Sequence, residues 1–84
     1  MKSVKIYLTE WCPFCTRARA LLDRKEISYE AIDVDGDLST RRWLREVTGQ
    51  RTVPQVFIGD EPIGGFTELA ALDQSGDLDL KLAS

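Results

Sequence analysis

The chain has 84 residues, 43% apolar and 30% charged, a mix that fits one ordinary globular domain over residues 1–84 with no room for a separate cofactor domain. Eleven Lys and Arg against fourteen Asp and Glu leave a net charge of −3, which counts against a general nucleic-acid binder. There is no histidine and there are two cysteines, Cys12 and Cys15, so imidazole chemistry is excluded and one chain cannot complete a four-ligand zinc site. Met1-Lys2-Ser3 leads straight into a short apolar run without the core of a signal peptide, and no stretch approaches the roughly 20 apolar residues of a membrane span. The expectation is a cytoplasmic protein with no membrane and no nucleic-acid partner.

Val4-Lys5-Ile6-Tyr7-Leu8 alternates and is rich in strand formers, so it reads as a strand. Pro13 opens a helix, with Ala18, Ala20, Leu21 and Leu22 on its apolar face and Arg17, Arg19, Arg24 and Lys25 on the wet side. Tyr29 to Val34 reads as a second strand, and Asp35-Gly36-Asp37 as a turn from which Asp37 or Ser39 caps the next helix. Trp43, Leu44 and Val47 give that helix its core face, with Trp43 expected in the core, and Gly49 stops it. Val56-Phe57-Ile58 and Pro62-Ile63 form a hairpin around Gly59-Asp60-Glu61. Leu69 and Leu72 build a third helix ended by Gly76, and Asp77 to Leu82 reads as a short terminal turn or half-helix. The order β-α-β-α-β-β-α predicts an α/β sandwich: a mixed four-stranded sheet flanked by helices.

Cys12-Pro13-Phe14-Cys15 sits where the first strand hands over to the first helix. A helix N-terminus carries unpaired N–H groups and a partial positive charge, so ionisation of Cys12 is expected below the free-thiol value of about 8.5. The thiolate is the attacking species in disulfide exchange. Cys15, one turn along, is expected to face inward and to attack the Cys12 sulfur once that sulfur is held in a mixed disulfide. A structural disulfide is the plainer alternative, but closing so short a loop stabilises by only about 2 kcal/mol in the chain-entropy model. Thr52-Val53-Pro54 is the second feature. A cis Val53–Pro54 bond would expose the Val53 backbone to an extended peptide-like ligand; a trans proline that merely starts a strand fits the spacing equally well.

Together these residues resemble the glutaredoxin family, in particular its small bacterial dithiol members. The resemblance runs over nearly the whole chain: Ile6-Tyr7, Cys12-Pro13-Phe14-Cys15, Asp33-Val34-Asp35, Thr48-Gly49, Thr52-Val53-Pro54-Gln55-Val56-Phe57-Ile58 and Ile63-Gly64-Gly65. It implies a thioredoxin fold and a glutathione-dependent thiol–disulfide oxidoreductase that acts as a monomer on protein disulfides and glutathionylated proteins, with glutathione as reductant and no metal. Cys12 would be the nucleophile and Cys15 the resolving thiol. Glutathione would meet Thr9, Phe14, Arg41, Thr52, Val53, cis Pro54, Gly65, Phe66 and Thr67, with Arg41 on its glycine carboxylate and residues 65–67 at its γ-glutamyl end.

The sequence departs from the family pattern at Thr9, where a lysine is frequent, at Thr67-Glu68, where an Asp pair is common, and at Phe66 and Phe14. Weaker or altered glutathione selectivity is therefore expected. Two other functions share the motif: a glutathione-ligated iron–sulfur carrier, which Pro13 disfavours by stiffening the loop, and a redoxin reduced by thioredoxin reductase. Trp11 is expected as an exposed contact, and Arg17 and Arg19 as solvated helix face.

Overall fold

The structure is a computed structural model that describes residues 1–83. Its elements are β1 (Val4–Leu8), α1 (Pro13–Arg24), β2 (Glu30–Asp33), α2 (Leu38–Thr48), β3 (Gln55–Ile58), β4 (Glu61–Gly64), α3 (Phe66–Ser75) and α4 (Asp77–Ala83). The sheet order is β2-β1-β3-β4. β1 runs parallel to β2 across the α1 crossover and antiparallel to β3, and β3 and β4 form the expected hairpin.

Side chains alternate across β1 with the period of two that a strand imposes. Val4, Ile6 and Leu8 face one way and meet Ala18, Leu21 and Leu22 of α1, Val56 and Ile58 of β3, Leu69 of α3, and Leu78 and Leu82 of α4. Tyr7 and Phe57 face the other way and meet Leu44 of α2 together with Val34. The sheet is thus covered by α1, α3 and α4 on one face and by α2 alone on the other. Trp43, expected in the core, lies instead at the edge of that second layer: it stacks on Phe57 at 5.7 Å and keeps 42% of its surface open. A single helix cannot roof the whole face.

The second strand is shorter than expected. Tyr29 and Val34 fall outside it: Val34 lies past Asp33, the partner of the last β1 residue Leu8, and makes one last bond, its N–H to the Leu8 carbonyl at 2.8 Å. Asp37 is the cap of α2, its carboxylate accepting from the Thr40 N–H at 3.1 Å, and Gly49 ends the helix at a left-handed φ of 74° that suits glycine. The terminal segment is a full helix, α4. Seven residues are too few to hold a helix alone. Burial of Leu78 and Leu82 fixes it, helped by Lys25, which pairs with Asp73 at 2.7 Å and Asp79 at 3.3 Å, and by Lys81, which pairs with Glu61 at 2.8 Å. Among the described residues no helix is long and apolar enough to cross a membrane.

Leu22 is buried in the larger core. Leu22→Ala is expected to destabilise the fold by about 2–5 kcal/mol, read as a lower denaturant midpoint; a loss under about 1 kcal/mol would mean that the core is not continuous there. The Asp37 carboxyl is held below its ordinary value of 3.8 by hydrogen bonds from Thr40, with Ser39 adding to them. A lowered carboxyl contributes stability above its unfolded value, and that contribution fades as pH falls through the folded one. The stability gap between the native chain and Asp37→Ala should therefore narrow on acidification below about pH 4, and a gap constant from neutral to acid pH would contradict the cap.

Candidate functional site

Cys12 is the N-cap of α1, with the extended backbone of a cap residue (φ −123°, ψ 107°). Pro13 follows at the first helical position, where its missing N–H costs no helix bond. The Cys15 N–H donates to the Cys12 sulfur at 3.1 Å, so the sulfur occupies the place that a serine or aspartate oxygen takes in an ordinary cap. Across the groove lies the carbonyl of Val53, 3.7 Å from the same sulfur. The peptide bond that follows it, Val53–Pro54, is cis, which resolves the choice that the sequence left open.

Cys15 points inward, as expected, and is 2% exposed. Its thiol is pushed up to about 12 from an ordinary 9.0, first by burial and then by the neighbouring Cys12, against a smaller opposing effect from the Thr9 N–H. The two sulfurs are therefore unlike. Cys12 is partly exposed at the helix tip, and Cys15 is a buried neutral thiol throughout the physiological range.

Most of the residues expected at the glutathione site come together around this pair. Arg41 lines a niche with Gln50, Arg51, Thr52 and Val53, and its guanidinium donates to the Arg51 carbonyl at 3.4 Å. On the other side of Val53, Gly65 sits against Pro54: a β-carbon at residue 65 would come within 3.3 Å of the Pro54 carbonyl oxygen. Phe66 continues from Gly65, its ring 6.4 Å from that of Phe14, and the Arg17 guanidinium lies 5.2 Å over the Phe14 ring. Thr67 follows on the exposed first turn of α3. Thr9, half-buried just past the end of β1, meets Cys15 through its main chain.

Trp11 is 89% exposed beside the sulfur, as expected. Arg17 and Arg19 are exposed too, although each has a partner: Arg17 the Phe14 ring, and Arg19 the Tyr29 hydroxyl at 3.2 Å. Two contributors escaped the sequence reading. Gln55 is 1% exposed, and its amide nitrogen donates to the Thr52 carbonyl at 2.9 Å and the Gln50 side chain at 3.0 Å, so it pins the loop that presents Val53. A polar residue inside an otherwise apolar strand was the available signal. Glu68 accepts from the Gly65 N–H at 2.7 Å and so carries a carboxylate to the start of α3. The N–H groups of the next residues have no partner within the helix, as at any helix start.

The glutaredoxin family model matches residues 4–63. The chain is 43% identical over 84 residues to a glutaredoxin of Pseudomonas aeruginosa, covering all of both chains. The chain belongs to the glutaredoxin family. Among solved structures, the glutaredoxin of Brucella melitensis aligns with a TM-score of 0.86 at 41% identity, over 100% of this chain and 94% of that one. A buckwheat glutaredoxin–glutathione complex aligns at 0.91 and 32% identity, over 98% of this chain and 77% of that one. The fold is the thioredoxin fold expected from the sequence, and the protein is a thiol–disulfide oxidoreductase.

The contrast between the two sulfurs is testable by alkylation. Iodoacetamide at about pH 7.5 should label Cys12 in the native protein and spare Cys15, which ionises only near pH 12 and is shielded. Peptide mass mapping before and after denaturation checks this; equal labelling of both in the native state would overturn the assignment.

Proposed function

We propose that this glutaredoxin is glutathione-dependent, with Cys12 as nucleophile and Cys15 as resolving thiol. The observation that carries the reading is the Cys12 sulfur in the cap position, with the Cys15 N–H on one side and the Val53 carbonyl on the other. A sulfur held at a helix tip and open to the groove is placed both to attack a disulfide and to leave from one.

On a glutathionylated protein the Cys12 thiolate attacks the glutathione sulfur. A Cys12–glutathione bond forms and the protein thiolate leaves. A second glutathione thiolate then attacks that glutathione sulfur and releases Cys12 with oxidised glutathione. On a protein disulfide Cys12 attacks one substrate sulfur and the other leaves as a thiolate; the thiolate of Cys15 then attacks Cys12, forming the Cys12–Cys15 disulfide and freeing the remaining substrate thiol, and two glutathiones reduce that disulfide in turn and leave as oxidised glutathione. Burial keeps Cys15 protonated until its attack on Cys12. Bonding of Cys12 removes its own, smaller part of the raised value of Cys15, while the part from burial remains.

Glutathione lies across the groove in this reading. Its cysteinyl backbone pairs with Val53 beside cis Pro54, and Thr52 flanks it. Its glycine carboxylate meets Arg41, and its glutamyl end reaches Gly65, Phe66 and Thr67, with the Glu68 carboxylate available to the ammonium. Phe14 closes the near wall with Phe66. Support comes from the niche that joins Arg41 to Thr52 and Val53 and from the fit of Gly65 against Pro54. The substrates are glutathionylated and disulfide-bonded proteins.

Kinetics with glutathione, glutathione reductase and a small glutathione mixed disulfide test the reading. Cys12→Ser should abolish turnover. Cys15→Ser should keep turnover of the mixed disulfide and lose reduction of protein disulfides. Arg41→Ala should raise the KM for glutathione roughly three- to tenfold with little change in kcat, the size of one solvent-exposed charge pair of about 1 kcal/mol. Full activity of Cys12→Ser, or no response to glutathione in the native protein, would refute it.

A further inference from the structure

The outward face of α2 carries a charge pattern that the glutathione reading uses only at one end. Leu38, Arg41, Arg42, Arg45 and Glu46 recur at helical spacing and, with Arg51 from the following loop, line a cleft of about 560 Å³. Four of its six lining residues are arginines and one is an acid. The ion pairs of the described residues draw on Lys25 and Lys81, and none reaches these arginines. Like charges three and four apart work against a helix by a few tenths of a kcal/mol each, so the stripe does not serve the stability of α2.

The C-terminal part of the chain is acidic: residues 53–84 carry one basic and six acidic side chains. A negatively charged partner is therefore disfavoured there and attracted to the stripe, which orients it as well as holding it. Orientation matters because the cleft is continuous with the redox centre. Arg41 and Arg51 line both the cleft and the niche of Thr52 and Val53, and the Val53 carbonyl lies against the Cys12 sulfur.

We propose that this arginine stripe docks an acidic segment of the protein whose disulfide Cys12 reduces. The stripe runs from residue 38 to residue 46, about 12 Å along a helix at 1.5 Å per residue. That is the span of roughly four residues of extended chain, and it is longer than a single carboxylate or phosphate needs. Leu38, 77% exposed at its end, adds an apolar contact. The occupant is a short run of Asp and Glu with an apolar neighbour, close in the substrate to the reacting cysteine. This inference deepens the assignment of Cys12 as the reacting sulfur and rests on it.

The test uses Arg42→Gln/Arg45→Gln, which removes two charges, preserves helix-forming side chains and leaves Arg41 and Arg51 in place. One arm measures binding of a cysteine-free, fluorescently labelled Glu-rich peptide by anisotropy. Binding to the native protein should be present at low salt, fall steeply by about 0.3 M, and weaken about tenfold in the double variant. Arg42→Glu/Arg45→Glu should instead gain binding of a Lys-rich peptide. The second arm compares peptide disulfides with acidic or neutral flanks. The double variant should lose about tenfold in kcat/KM on the acidic one only, with turnover of a small glutathione mixed disulfide within about twofold of native. Equal binding by native and variant protein, equal losses on both peptides, or preference for a single-stranded oligonucleotide over the acidic peptide would each overturn the proposal. Failure of the glutathione reading would show separately, as a native protein inactive with glutathione while the binding arm still reports.

Discussion

One hydrogen bond organises the chemistry of this molecule: the N–H of Cys15 donated to the sulfur of Cys12. It exists because β1 ends one short loop before α1, so that the motif straddles the transition from strand to helix. Pro13 fixes the first turn without needing a donor, and Cys12 is left as the cap. Everything else at the site is arranged about that sulfur. β3 follows directly on the loop that brings Val53 across to it, Gln55 pins that loop from below, and Gly65 lets the start of α3 close against Pro54.

The sheet separates two tasks. Its α1 side holds the larger core and keeps Cys15 away from water, which is why the two cysteines differ although they are three residues apart. Its α2 side has a smaller core and an arginine-rich outer surface. The loop of residues 49–54 is the link between them. Gly49 turns the chain out of α2 and Gln55 takes it into β3, so that loop joins one face to the other.

Much of this could be read from the residues. The alternation in Val4 to Leu8 marked β1, Gly49 marked the end of α2, and the four-residue cysteine motif after a strand marked the sulfur at a helix tip. What escaped depended on contacts between distant parts. α4 is a helix because Leu78 and Leu82 are buried and because Lys25, through Asp79, and Lys81, through Glu61, tie it down, and no local pattern supplies that. Trp43 has a core residue's spacing, but how much of it a single helix layer leaves uncovered is a tertiary fact. The cis bond at Pro54 was one of two options that the sequence permitted equally. The buried amide of Gln55 and the convergence of Arg51 with the arginines of α2 required the loop's path.

The two tryptophans sit in sharply different surroundings. Trp11 stands in water beside the reactive sulfur, whereas Trp43 lies on the far side of the sheet, stacked on Phe57 and 5.7 Å from Tyr7. The chain thus contains two native optical reporters. The indole at position 11 is already in water in the folded chain, whereas melting of the aromatic layer strips the indole at position 43 of its neighbours, so a shift of emission on unfolding reports chiefly on the second.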